Sequence, residues 1–282
     1  PTTAGWKPSG PISLIVCQGP GGGFDAWGRV IGMALTKYVG VPVVIKNVPG
    51  LGGATGVETI WRSKPDGQTI VIFEGGAMLA TQYLLGVSFD VHRLTFIGNV
   101  NNGPFAIFVS NTSPYNSLQD FVSAGRTKTL LGGTTGLASG LWQSMAIFAK
   151  EARIDVRPVP GYQSGGAMLV GLGAGDFDAM FIPPQAALAM IKRGSVKALA
   201  VAGTARDPRI PDTPTFAEAG FPQTGIFATV MRTLAAPPST PPHITAFLEK
   251  AFLSAMGDLK FLESLRVNSP KLASFLAVSD TP

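Results

Sequence analysis

With 282 residues, 45% apolar and only 14% charged, the chain can build one large core or two lobes and carries too little charge for a disordered segment. Its net charge of +5 mildly favours anionic partners, but no cluster of five or more basic residues occurs, which argues against nucleic acid. Cys17 is the single cysteine, so no intrachain disulfide can form; no apolar run approaches a membrane span and no secretory signal opens the chain, so a mature or trimmed form is expected.

"PISLIVCQ" predicts a short buried strand. From Asp25 onward Trp27, Val30, Ile31, Ala34, Leu35 and Tyr38 recur at three- and four-residue spacing, which predicts an amphipathic helix closed by Gly40. Gly21, Gly22 and Gly23 stand between the two. "VPVVIKN" predicts a second strand, "ATGVETIWRS" a helix, "PDG" a turn and "QTIVIF" a third strand. Gly75 and Gly76 open a loop before a helix in "AMLATQYLL". "FAIFVS" predicts a strand and "SLQDFVSAGR" a helix. "TLLGGTTGLASGLWQSMAIFAKEA" then repeats the opening order of strand, glycine loop and helix, and "VRPVPGYQSGGAMLVGLGAG" repeats it with a shorter helix. "DFDAMFIP", "PQAALAMIKRG" and "VKALAVAG" predict strand, helix and strand; Arg206 to Thr215 is a Pro-rich loop, and the tail from Pro241 reads as mostly helical. Such alternation predicts α/β structure with parallel sheets, and glycine loops in both halves predict two lobes.

The first turn of a helix carries unpaired N–H groups and partial positive charge, and glycine lets a ligand approach the backbone. Glycine loops at strand ends therefore suit a phosphate or a carboxylate; their bland alternative is a tight turn. "GGGFDA" can be read as a dinucleotide fingerprint, but the second strand ends in Lys46 and Asn47 where an acidic residue is needed, and no P-loop pattern occurs. His92 reads as an exposed loop residue, His243 as a helix-start residue and Cys17 as a small buried hydrophobe, so binding without catalysis fits better than an enzyme. Asp25 fits helix capping and ligand contact equally.

"PGGGFDAWGRVIGMAL", "VGVPVVIKNVPGLGGATGVETI", "KPDGQTIV", "GTTGLASG", "VPGYQSGGAML", "DFDAMF", "IKRGSVKALAV" and "RIPDTPTFAEAGFP" together resemble the substrate-binding proteins of tripartite tricarboxylate transporters, the TctC or Bug family, over nearly the whole chain. The resemblance implies a two-lobed α/β fold like periplasmic binding proteins (type II, Venus flytrap) with two interlobe crossovers: 1–104 and 229–282 in lobe 1, 105–228 in lobe 2. It implies a periplasmic, secreted, monomeric receptor that takes a small organic acid between its lobes and delivers it to membrane transporter subunits, with no cofactor, metal or catalytic residue. Carried over to this sequence, the ligand contacts would come from Gly22, Gly23, Phe24 and Asp25, from Gly76, Ala77 and Met78, from Thr134, Ala138, Ser139 and Gly140, from Tyr162, Gln163 and Ser164, and from Phe181 and Ile182. Three places depart from the family pattern: Phe24 replaces a small hydroxyl residue, Gly161 is an extra residue with Gln163 in place of a base, and Ile182 stands where Asp is frequent. These changes favour a ligand with an apolar or aromatic body. An enzyme acting on a carboxylate or phosphate ester, and a ligand-sensing regulatory partner, remain the alternatives.

Overall fold

The computed structural model describes residues 6–258, and by its contacts the chain divides into two units. One runs to Asn101 and resumes at Met231; the other is Asn102–Val230.

The first unit opens with β1 (Ile12–Val16), α1 (Gly23–Val39) and β2 (Val43–Asn47). A short 3₁₀ turn, Leu51–Gly53, leads into α2 (Ala54–Trp61), then come β3 (Thr69–Glu74), α3 (Gly75–Leu85) and β4 (Thr95–Pro104). After the second unit the chain returns through β10 (Thr229–Ala236) to α9 (Pro242–Met256). The sheet order is β2-β1-β3-β10-β4. Alternation in β1 and β3 turns Ile12, Leu14, Val16, Ile70 and Ile72 to one face, where Val30, Ile31 and Leu35 of α1 and Leu248 and Phe252 of α9 cover them. The helix lies close because Gly28 has no side chain: a Cβ there would sit 2.5 Å from Val16 Cγ2. Five buried residues of α9 join this core; the part of the expected helical tail beyond residue 258 lies outside the described residues.

The second unit runs β5 (Ala106–Ser110), α4 (Leu118–Gly125), β6 (Leu130–Gly133), α5 (Gly140–Ala152), β7 (Val156–Val159), α6 (Gly165–Ala174), β8 (Ala179–Ile182), α7 (Pro184–Lys192), β9 (Val196–Val201) and α8 (Pro222–Phe227), with sheet order β7-β6-β8-β5-β9. One face packs Phe108, Met180, Ile182 and Val201 under Met168 and Leu172 of α6. An aromatic cluster lies elsewhere in the unit: Phe148 of α5 has its ring centroid 6.3 Å from Phe181 and 5.7 Å from Phe216, and Phe181 stacks on Phe216 at 5.6 Å. Each such pair adds about 0.5–1.5 kcal/mol beyond its buried area.

Two expectations need correction. The sheets are mixed, not parallel: β10 runs antiparallel to β3, and β5 runs antiparallel to both β8 and β9. The glycines at 23, 75 and 165 are also not loop residues preceding helices; each is the first residue of its helix. Glycine's cost in a helix is the backbone freedom it loses, and at the first helical residue that cost is accepted in return for open access to the first-turn N–H groups.

Candidate functional site

In the first unit β1, β2 and β3 are parallel, with Val16 level with Asn47 and with Ile72. Their following segments therefore leave from the same end of the sheet, the end at which ligands collect in α/β proteins. Gly22–Asp25 and Gly76–Met78 share that end.

Gly21 holds φ at +81°, Gly22 is the N-cap of α1 with no side-chain cap, and the helix starts at Gly23. No described residue accepts from the N–H groups of Gly23 or Phe24. Asp25 is buried and its carboxylate is engaged by the protein: Oδ2 accepts from Gly21 N and Arg29 Nε, both at 3.0 Å, and Oδ1 accepts from Asn47 Nδ2 at 3.0 Å. It thus ties the glycine loop to α1 and to the end of β2. Burial pushes the Asp25 carboxyl up, but the hydrogen bonds from Arg29, Gly21 and Asn47 outweigh it and hold the group below its ordinary value. A depressed folded value gives stability that is present above the unfolded pKa of about 3.9 and lost as pH falls through the folded one. Asp25→Asn is therefore expected to lower the urea midpoint at pH 7, with the gap to the wild type closing below about pH 4.

Arg232 enters the same end of the sheet from β10. Its Cα partner is Glu74, the last residue of β3, so the two side chains share a face. Arg232 is 2% exposed. Its guanidinium carbon lies 5.0 Å from the centroid of the Phe24 ring, and its Nη1 donates to Asn101 Oδ1 at 3.0 Å. Burial lowers its pKa to about 10, opposed by the charge of Glu74, so it remains a cation at neutral pH. Arg232 Nε and Asn101 Nδ2 are buried with no acceptor among the described residues.

In the second unit Gly133 is level with Val159, Gly132 with Ala179, and Ala106 with both Ile182 and Val201. The segments after β6, β7, β8 and β9 again share one end. There the Thr134 and Ser139 hydroxyls lie 2.9 Å apart and both donate to Gly136 O, at 3.0 and 2.8 Å, while Ser139 caps α5 by accepting from Trp142 N. Ala138 and Gly140 are buried in this loop. Ser164 caps α6 by accepting from Ala167 N, Gln163 is exposed, and no described residue accepts from the N–H groups of Gly165 or Gly166. The Tyr162 hydroxyl donates to Asp176 Oδ2 at 2.7 Å and its ring meets Phe177 edge-on; desolvation and then Asp176 push its pKa up to about 12. Gln185, on the first turn of α7, is buried; its Oε1 accepts from Arg209 Nη1 at 3.0 Å, its Nε2 has no acceptor among the described residues, and Asp207 pairs with the Arg209 guanidinium.

Three side chains expected to meet a ligand are buried among the protein's own residues. The Phe181 ring is fully buried against Phe148 and Phe216. Ile182 belongs to the core under α6, and Met78 is buried beside Ala77 on α3. Cys17 is buried, and desolvation holds its thiol far above its ordinary pKa, protonated and inert. His92 and His243 are exposed. Among the described residues no group of three or more His, Cys, Asp or Glu side chains could hold a metal, and no helix is long and apolar enough to cross a membrane.

Residues 28–272 match the family model described as the tripartite tricarboxylate transporter family receptor. The chain belongs to this family. It is a solute-binding receptor of the TctC type, and a curated relative, a UPF0065 protein of Bordetella pertussis, is 30% identical over 93% of this chain and 81% of its own length. MatC from Rhodopseudomonas palustris with bound malate superposes with a TM-score of 0.85 at 25% identity, covering 96% of this chain and 94% of that one. A second R. palustris protein, solved with adipate, gives 0.82 at 25% identity, covering 92% and 87%. The receptor therefore has the two-lobed periplasmic-binding fold that these neighbours share.

For this receptor the sequence pointed to the loops and missed Arg232, Asn101 and Gln185. A signal for Arg232 was present: one cation in the middle of "TVMRTLAA", a run of strand-forming and small residues with no other charge, implies a buried charge with a designated partner.

Proposed function

We propose that this receptor captures a small organic acid outside the cytoplasm and hands it, unreacted, to membrane transporter subunits. The observation that carries the reading is the set of unpaired first-turn amides at Gly23 and Phe24, beside a buried arginine, at the ligand-collecting end of the first sheet. Backbone amides at a helix start take a carboxylate without a side-chain clamp. Micromolar affinity needs about 8 kcal/mol, and hydrogen bonds to a charged group contribute about 1.5–3 kcal/mol each, so four or five such donors can meet it after ordering costs. In the second unit, Gly165 and Gly166 at the start of α6 form a similar set of donors. Phe24 is half-buried, and its remaining surface suits an apolar ligand body.

Malate and adipate, in the two neighbours solved with them, are both dicarboxylates, which supports an organic acid here. A thermal-shift screen of straight-chain C3–C8 mono- and dicarboxylates, aromatic acids, citrate and amino acids tests the reading. Stabilisation by one of the acids, with the acid recovered intact by mass spectrometry, is expected. No shift with any carboxylate, or conversion of a bound acid or ester, would overturn it.

A further inference from the structure

Two buried donors in the first unit lack acceptors, and they belong to one cluster. Asn101 spends its Oδ1 on Arg232 Nη1, which fixes the amide and leaves Nδ2 without a partner. Arg232 spends Nη1 on Asn101 and leaves Nε without one. Buried polar groups are as a rule hydrogen-bonded, so two orphans in one cluster, both donors, call for acceptors beyond those the described residues supply. A water would accept from both but bring two hydrogens of its own to place; a carboxylate is acceptor-only, with about four lone-pair sites. The location points the same way. The guanidinium packs against the ring of Phe24, the second residue of α1, whose own amide is one of the unpaired first-turn N–H groups.

We propose that Arg232 and Asn101 read the charge of the bound acid: Arg232 Nε and Asn101 Nδ2 donate to a carboxylate oxygen, while the first-turn amides of α1 take the remaining lone pairs. The inference rests on the organic-acid reading given under Proposed function and adds to it the residues that distinguish a carboxylate from its uncharged analogue. Phe24 packs against the guanidinium from one side and Glu74 balances its charge. A residue type that looks like a loss of polarity in the glycine loop, Phe24 in place of a small hydroxyl, thus serves the charge-reading arginine.

Asn101→Asp tests the pair. It places the protein's own carboxylate beside Arg232, at Nη1, and removes the Nδ2 donor. The best binder among C3–C8 mono- and dicarboxylates, and the amide of the same acid, are titrated by calorimetry into wild type, Asn101→Asp and Arg232→Lys, the last keeping the charge without Nε–H. Affinity for the acid is expected to fall about 10- to 100-fold in both variants. The acid-to-amide preference should collapse towards unity, and the ligand-free thermal midpoint of Asn101→Asp should hold or rise. A purely structural pair would not move that ratio. Unchanged acid affinity and ratio in folded Asn101→Asp overturns the proposal while leaving the organic-acid reading intact; wild type that binds no acid of the panel overturns both. If Arg232→Lys fails to fold, Asn101→Asp decides alone.

Discussion

Arg232→Met is expected to destabilise the protein by about 3–5 kcal/mol, the cost of removing one member of a buried charged pair. Methionine fills similar space, so a cavity is not the main effect. The loss is electrostatic and polar: Glu74, level with Arg232 across β3 and β10 and 8% exposed, keeps its charge without the opposing one, and Asn101 Oδ1 loses its donor. Adding Glu74→Gln should return about 1–3 kcal/mol of the loss, since neighbouring groups in one network couple by that amount. Urea unfolding of the two single variants and the double variant gives the cycle. Additive losses would show that the two charges do not sense each other.

That cluster also shows where sequence reading stopped. Most helices and strands were legible from a periodic stripe or a short apolar run: α1 repeats at three and four residues, and β1 and β3 are short apolar runs, whereas the six-residue α8 has no such stripe and was not expected. β4 was not, because its residues, "TFIGNVNNGP", carry three Asn/Gly positions in a row and a terminal Pro, the composition of a turn. β10 lies between the Pro-rich loop and the helical tail, and its central arginine breaks the apolar run that marks a buried strand. Both strands run across the boundary between the two units, at Asn101/Asn102 and Val230/Met231, so each sits in two environments and shows no single burial period. The glycine loops at the sheet ends could be found because glycine before a helix has few other uses. Of the polar groups that surround them only Asp25 stood out; its partners Arg29 and Asn47, and the pair Glu74 and Arg232, come from four separate segments and are brought together by side-chain hydrogen bonds and strand register. The burial of Phe181 against α5 was not legible for a related reason: on a four-residue strand buried on both faces, sequence does not say which face a side chain takes.

Gly23→Val is expected to reduce affinity for the bound acid by about 100-fold or more while changing stability by less than about 1 kcal/mol. The position is the first residue of α1 with a helical backbone, so valine meets no conformational barrier there, and its helix propensity is slightly better than that of glycine. What valine adds is bulk directly over the N–H groups of Gly23 and Phe24, which no described residue occupies. Losing two charge-assisted hydrogen bonds accounts for the expected fall. Gly76→Val, on the second residue of α3 with open space where its Cβ would stand, is the matched control: it adds the same bulk at the same sheet end on a different helix start. Calorimetry on the three proteins separates the cases. Loss confined to Gly23→Val places the anion on α1; equal loss in both spreads the carboxylate over two helix starts; and full affinity in Gly23→Val removes the α1 amides, and with them the neighbouring Arg232, from the recognition of the ligand.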